Sequence, residues 1–134
     1  WDTSVFVRYF TCDDEVKYKE VVRLYEKVSE GQIVPYVSSI VLLEVYFVLK
    51  SVYGFEKKKC IKAIEGIVGM RNCVVVEKTD TKLAMKYLVE TGVKFSDCMI
   101  ATQVPKNVKL VTYDEEFGKI KAINRMEVKE LIDI

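Results

Sequence analysis

Phe95-Ser-Asp-Cys-Met-Ile-Ala-Thr-Gln-Val-Pro-Lys-Asn-Val-Lys-Leu-Val-Thr-Tyr-Asp114 holds a helix, a turn and a strand in twenty residues. Ser96 to Val104 reads as a short apolar helix, Pro105 and Asn107 as a turn, and the β-branched run Val108 to Thr112 as a strand. A helix of about nine residues carries the chain about 13 Å away from its start. The strand brings it about 20 Å back. Asp97, at the helix start, and Asp114, just past the strand, therefore return to the same edge of a sheet. That edge is the carboxyl end of the strands, where open α/β sheets bind their ligands. Each acid alone has an ordinary explanation: Asp97 as an anion favoured by the helix dipole, Asp114 as the N-cap of Asp-Glu-Glu-Phe. Their joint return to one edge weakens both.

The same alternation of helix and strand extends outward. Asp13 and Asp14 are N-cap candidates for a helix in which Tyr18, Val21, Val22, Tyr25 and Val28 recur at helical spacing, with Gly31 as terminator. Gln32 to Val37 reads as a strand whose Pro35 suits an edge or an end. Ser38 and Ser39 cap a strongly apolar helix to Tyr53, and Phe55 to Val68 forms another with Cys60, Ile61, Ile64 and Val68 on one face. Cys73 to Val76 is expected to be a buried strand. Thr79 to Thr91 is a helix stopped by Gly92, Asp114 to Lys121 is helical, and Met126-Glu-Val supplies a last strand. The pattern predicts an α/β fold of three layers, α/β/α, with a mostly parallel central sheet of about five strands. Residues 1–134 read as a single domain, with the first strand cut short ahead of Trp1.

Composition bounds the chemistry. The chain has 134 residues, 21 basic and 20 acidic side chains, no histidine and four cysteines. A net charge of +1 supplies no general attraction for nucleic acid. Absence of histidine excludes His-dependent nucleophiles and His-ligated zinc. Seventeen Lys and thirteen Glu against three Asn and two Gln is a pattern associated with hyperthermophile proteins. Cys12, Cys60, Cys73 and Cys98 are far apart, without a CxxC, and read as buried free thiols of a reducing cytoplasm. No apolar run is long enough for a membrane span, and no signal peptide is visible, although the chain begins at Trp1. No GxxxxGK[ST] or GxGxxG occurs. Gly66-Ile-Val-Gly69 reads as a helix terminator, and Lys57-Lys58-Lys59 as a solvated helix face.

Two more acids stand out. Glu44 lies within Ile40-Val-Leu-Leu-Glu44-Val-Tyr-Phe-Val-Leu49, a lone carboxylate among nine apolar residues. Such a residue, if buried, must be paired, protonated or bound to a cation. If it sits on a narrow polar seam, it is merely half exposed. Asp2 falls at the end of a first strand, just before a helix. Four carboxylates converging without histidine or thiolate suit a hard cation held by oxygen, Mg²⁺ or Mn²⁺, and phosphoester hydrolysis. Their mutual repulsion predicts a strained, partly protonated site without metal, in which Glu44→Gln stabilises the protein.

Asp2-Thr-Ser-Val-Phe-Val, Glu44 in its apolar helix, Phe95-Ser-Asp97-Cys-Met-Ile-Ala101 and Leu110-Val-Thr-Tyr-Asp114-Glu-Glu-Phe117 together resemble the PIN domain, most closely the short VapC-type toxin ribonucleases. The resemblance covers essentially the whole chain, with four short motifs in register. It implies endonucleolytic cleavage of RNA at an acidic Mg²⁺ or Mn²⁺ site, and a homodimer held by a small antitoxin protein. Asp2, Glu44 and Asp97 match the near-constant acids and Asp114 the more variable fourth, so these four are the implied catalytic and metal-binding residues. Thr112 matches a hydroxyl that supports the last acid, and Ser4 is placed to support Asp2. Alternatives are a non-catalytic PIN-like module for RNA or protein, and an RNA-processing nuclease without an antitoxin. An acid-cluster phosphatase fits less well, because Asp2-Thr-Ser has no second acid two residues on. The apolar surplus of the helix Ser39 to Val52 independently motivates a dimer.

Overall fold

A computed structural model describes residues 1–134. Asp2, in extended conformation, precedes α1 (Thr3–Thr11), and α2 (Glu15–Ser29) follows, capped by the Asp14 carboxylate on the Lys17 amide. Next come β1 (Tyr36–Ser38) and α3 (Ser39–Ser51), the latter capped by the Ser38 hydroxyl on the Ile40 and Val41 amides. The chain continues through α4 (Lys57–Val68), β2 (Val74–Val76), α5 (Thr81–Thr91) and α6 (Phe95–Thr102). It closes with β3 (Leu110–Val111), a 3₁₀ turn (Glu115–Lys119), β4 (Arg125–Met126) and α7 (Val128–Ile132). Gly92, at φ +68°, ends α5 in a left-handed conformation that costs glycine little. The sharp turn there delivers Lys94 and Asp97 to the start of α6.

The strands form two parallel pairs. β1 lies on β2 in the register Tyr36–Val74 to Ser38–Val76, and β3 lies on β4 with Leu110 opposite Arg125. Trp1 and Asp2 run between the pairs: the Trp1 nitrogen donates to the Tyr36 carbonyl at 2.8 Å, and the Asp2 amide to the Val111 carbonyl at 2.9 Å. The spatial order is therefore β2, β1, the Trp1–Asp2 segment, β3, β4. The α/β architecture with parallel strands follows the expectation, but the sheet is sparser than the five strands foreseen. Its middle position is held by two residues, each making one hydrogen bond to a neighbouring strand.

A core of 24 buried residues fills the space between strands and helices, with Val5 and Phe6 from α1, Val21 and Leu24 from α2, and Val41, Val45 and Leu49 from α3 at its centre. Each fully buried aliphatic or aromatic side chain contributes about 1.5–3 kcal/mol. Gln103, buried at the end of α6, binds neighbouring segments together. It accepts from the Ser38 hydroxyl, and its amide donates to Thr79 Oγ1 at 2.6 Å and to the Glu77 carbonyl at 3.2 Å.

Three local expectations change. β2 is not buried: Val74 is exposed, because β2 pairs only with β1 and ends the sheet. The inward seam of α4 is Cys60, Ala63 and Ile67, leaving Ile61 and Val68 exposed. Cys60 and Cys98 are buried as anticipated, Cys73 is half-buried, and Cys12 is exposed; all four are free thiols. α7 has no counterpart in the sequence reading. No helix is long and apolar enough to cross a membrane.

Candidate metal centre

Asp2, Glu44 and Asp97 meet at the carboxyl end of the strands. One carboxylate oxygen from each lies within 4.8 Å of the other two. Three separate elements supply them. Asp2 ends the extended segment before α1, Glu44 lies mid-way along α3, and Asp97 is in the first turn of α6.

Asp2 occupies an N-cap position without capping. Its Oδ2 instead accepts from the Thr112 hydroxyl at 2.8 Å and the Ser4 hydroxyl at 3.0 Å. Those hydroxyls are themselves held, since Ser4 Oγ accepts from the Tyr113 amide at 3.0 Å and Thr112 Oγ1 from the Asp114 amide at 2.9 Å. Ser4 thus stands where the sequence reading put it. Thr112 supports the Asp2 carboxylate and the Asp114 backbone, rather than the Asp114 carboxylate.

Glu44 is less buried than its apolar run suggested, with a side chain 21 % exposed. The helix also leaves Leu43 and Phe47 half in solvent, so the face that Glu44 borders is exposed but largely apolar. Its Oε1 accepts from Thr3 Oγ1 at 2.7 Å, its Oε2 from Ser96 Oγ at 3.1 Å, and the Lys94 ammonium stands 3.9 Å from Oε2. Thr3, Ser96 and Lys94 were not singled out from the sequence. The first two adjoin Asp2 and Asp97 in their motifs, which is the signal that could have found them; Lys94 left none.

Asp97 is 5 % exposed, and no hydrogen bond of the site ends on its carboxylate. Burial pushes its pKa up to about 7, and the charges of Asp2, Glu44 and Asp114 push the same way, against the pull of Lys94. Asp114 stands outside the group of three. Its carboxylate caps the 3₁₀ turn through the Glu116 amide at 2.9 Å, and Arg125 Nε holds its carbonyl at 3.0 Å. It acts on the cluster through its charge.

A set of oxygen donors with one buried, unpartnered carboxylate at its centre fits a hard divalent cation. Zinc and copper sites prefer imidazole or thiolate, and none is present in the cluster. The nearby thiol of Cys98 is turned away, donating to the Val93 carbonyl at 3.3 Å.

Comparison with curated protein sequences finds no match. Among solved structures, the fold is similar to a chain of VapBC2 from Rickettsia felis, crystallised with a DNA fragment from the promoter of the pair. The TM-score is 0.63 at 18 % identity, over 93 % of this chain and 94 % of that one. The sequence profile of the PIN domain matches residues 1–123, leaving only β4 and α7 outside it. With the acids of its motifs gathered at one strand edge, this chain belongs to the PIN domain family.

Proposed function

We propose that this protein is a Mg²⁺- or Mn²⁺-dependent endoribonuclease of the VapC type, the toxin of a toxin–antitoxin pair, acting in the cytoplasm as one nuclease domain over residues 1–134. The observation that carries this reading is the meeting of Asp2, Glu44 and Asp97, with the buried Asp97 carboxylate making no hydrogen bond or ion pair within the protein. Asp2, Asp97 and Asp114 are the metal ligands in this reading, directly or through water, and Glu44 ligates the metal or orients the attacking water. The chemistry such a cation supplies is activation of a water and neutralisation of phosphate charge.

The remaining work belongs to the chain. Ser4 and Thr112 both donate to Asp2 Oδ2, which fixes the carboxylate and leaves its other oxygen without a protein donor. Glu44, open to solvent on one side, can accept a proton from the attacking water. The water oxygen bonds to phosphorus, the bond from phosphorus to one ribose oxygen breaks, and that oxygen leaves with a proton from solvent.

Cleavage of RNA should require Mg²⁺ or Mn²⁺ and fall by at least 100-fold in Asp97→Asn. A variant that cleaves as well as its parent overturns the assignment. The second reading, a non-catalytic PIN module, draws on the hydrogen bonds that tie Glu44 to Thr3 and Ser96. Calorimetric titration separates the two, because a scaffold has no specific divalent site. The exposed Leu43 and Phe47 of α3 support a homodimer or an antitoxin contact, as does the similarity in fold to a toxin–antitoxin structure.

A further inference from the structure

Lys94 is in an unfavourable place for a lysine. It occupies the N-cap of α6, where Ser, Thr, Asp and Asn are preferred because they can accept from the free amides; its side chain makes no cap bond. Its charge also sits at the positive end of the helix dipole. What compensates is the acid cluster. The ammonium lies 3.9 Å from Glu44 Oε2, the only ion pair made by any of the three clustered acids. Lys94 is likewise the one positive charge among the groups that act on Asp97.

The ammonium is nevertheless loosely held. Its side chain is 67 % exposed, and the pair with Glu44 is at the long limit of contact. A flexible stem bearing a point charge can leave Glu44 when a divalent cation takes up the carboxylate charge. It then has one direction in which to gain: outward, to the anion that enters the same mouth. Lysine suits a phosphate oxygen in this way because its donors rotate to meet it.

We propose that Lys94 is a catalytic residue of this site: its ammonium rests on Glu44 in the free protein and contacts a non-bridging oxygen of the scissile phosphate when RNA is bound. This assignment rests on the nuclease reading above and adds a substrate contact to it. It makes Lys94 a competitor of the metal and an ally of the substrate, so that its removal moves two measurements in opposite directions.

The test uses Lys94→Met, which keeps the length of the stem, and Lys94→Arg, which keeps the charge. Titration of the RNA-free protein with Mn²⁺ should show about 2- to 5-fold tighter binding in Lys94→Met, the range of an exposed ion pair, and no tightening in Lys94→Arg. Cleavage at saturating Mn²⁺ should fall about 10- to 100-fold in kcat for Lys94→Met and recover most of this loss in Lys94→Arg. In an Asp97→Asn background, the slope of log affinity for single-stranded RNA against log salt should shrink by about 0.7 on adding Lys94→Met. Unchanged or weaker Mn²⁺ binding in Lys94→Met overturns the proposal, as does unchanged cleavage or an unchanged salt slope. A wild type that cleaves and a Lys94→Met that cleaves equally overturn this assignment alone. A wild type that cleaves no RNA overturns the nuclease reading and the assignment with it.

Discussion

Asp97 makes the stability of the metal-free protein depend on pH in a direction opposite to most acids. Its pKa is raised from 3.8 to about 7, so the folded protein holds this proton more tightly than the unfolded chain. The contribution is present in full below pH 3.8 and is lost as pH climbs to about 7. In chelator, Tm should therefore fall between pH 4 and pH 6, below the range in which the buried Trp1 amino group, lowered to about 6, acts in the opposite sense. Asp97→Asn should flatten that slope and melt higher than the parent at pH 8; equal slopes in both proteins would disprove it. Asp13 does not interfere, since Arg8 holds its carboxyl down to about 2, below the window. Thr112→Val deletes both the donor to Asp2 and the acceptor for the Asp114 amide. It should cost about 1–3 kcal/mol in denaturant unfolding and weaken Mn²⁺ binding at least 10-fold by calorimetry. Charge repulsion alone predicts that Glu44→Gln stabilises the metal-free protein. The hydroxyls of Thr3 and Ser96 and the ammonium of Lys94 reverse that expectation. Glu44→Gln should lower Tm in chelator, because it removes the ion pair with Lys94 and replaces charge-assisted hydrogen bonds from Thr3 and Ser96 by weaker neutral ones. The acids were legible because each broke a local pattern: a charge in an apolar helix, an acid at a strand end. Ser4 was legible as the partner of Asp2, two positions away, but Thr112 was assigned to the nearby Asp114, because a hydroxyl 110 positions from the carboxylate it serves leaves no local trace of that pairing.

At the scale of elements, long helices were read well and short strands poorly. α2 and α3 carry ten or more residues of periodic pattern and good caps, and both start within two residues of expectation. β3 and β4 have two residues each, too few for periodicity to mark their ends. α7 is a five-residue helix capped by its own Glu127–Glu130 box, and it follows the last strand without a glycine or proline to announce it. The burial of β2 was misjudged because a continuous valine run looks the same at the middle and at the edge of a sheet. Gln103 shows what local pattern also hides. A glutamine in the last turn of a short helix looks like a surface residue, yet it joins β1, the end of β2 and the approach to α5. Gln103→Leu leaves Ser38 and Thr79 without their buried partner and should cost about 2–3 kcal/mol in unfolding free energy, with Mn²⁺ affinity changed less than 3-fold. A large loss of metal binding in that variant would mean that the site and this network are one unit.

For the whole molecule, α3 divides its surface between two tasks. One face buries Val41, Val45 and Leu49, while Glu44 reaches the acid cluster, and Leu43 and Phe47 remain 55 % and 54 % exposed. Two large apolar side chains one helical turn apart are the start of an association surface. Light scattering at micromolar concentration should report a dimer of the 15.5 kDa chain, and Leu43→Glu with Phe47→Glu should dissociate it without lowering Tm by more than a few degrees. A strict monomer in the parent protein rejects this. With a net charge of only +1, attraction for a polyanion would have to come from cations placed locally, such as Lys94 beside the acid cluster. Thr112 and Asp2 are 110 positions apart, and the Asp2 amide is likewise held by Val111. Contacts of such separation form late in folding, because the entropy of closing the loop between them must be met first. Asp2 is therefore oriented only when the two ends of the fold have come together. The acid cluster is completed with the fold and not ahead of it.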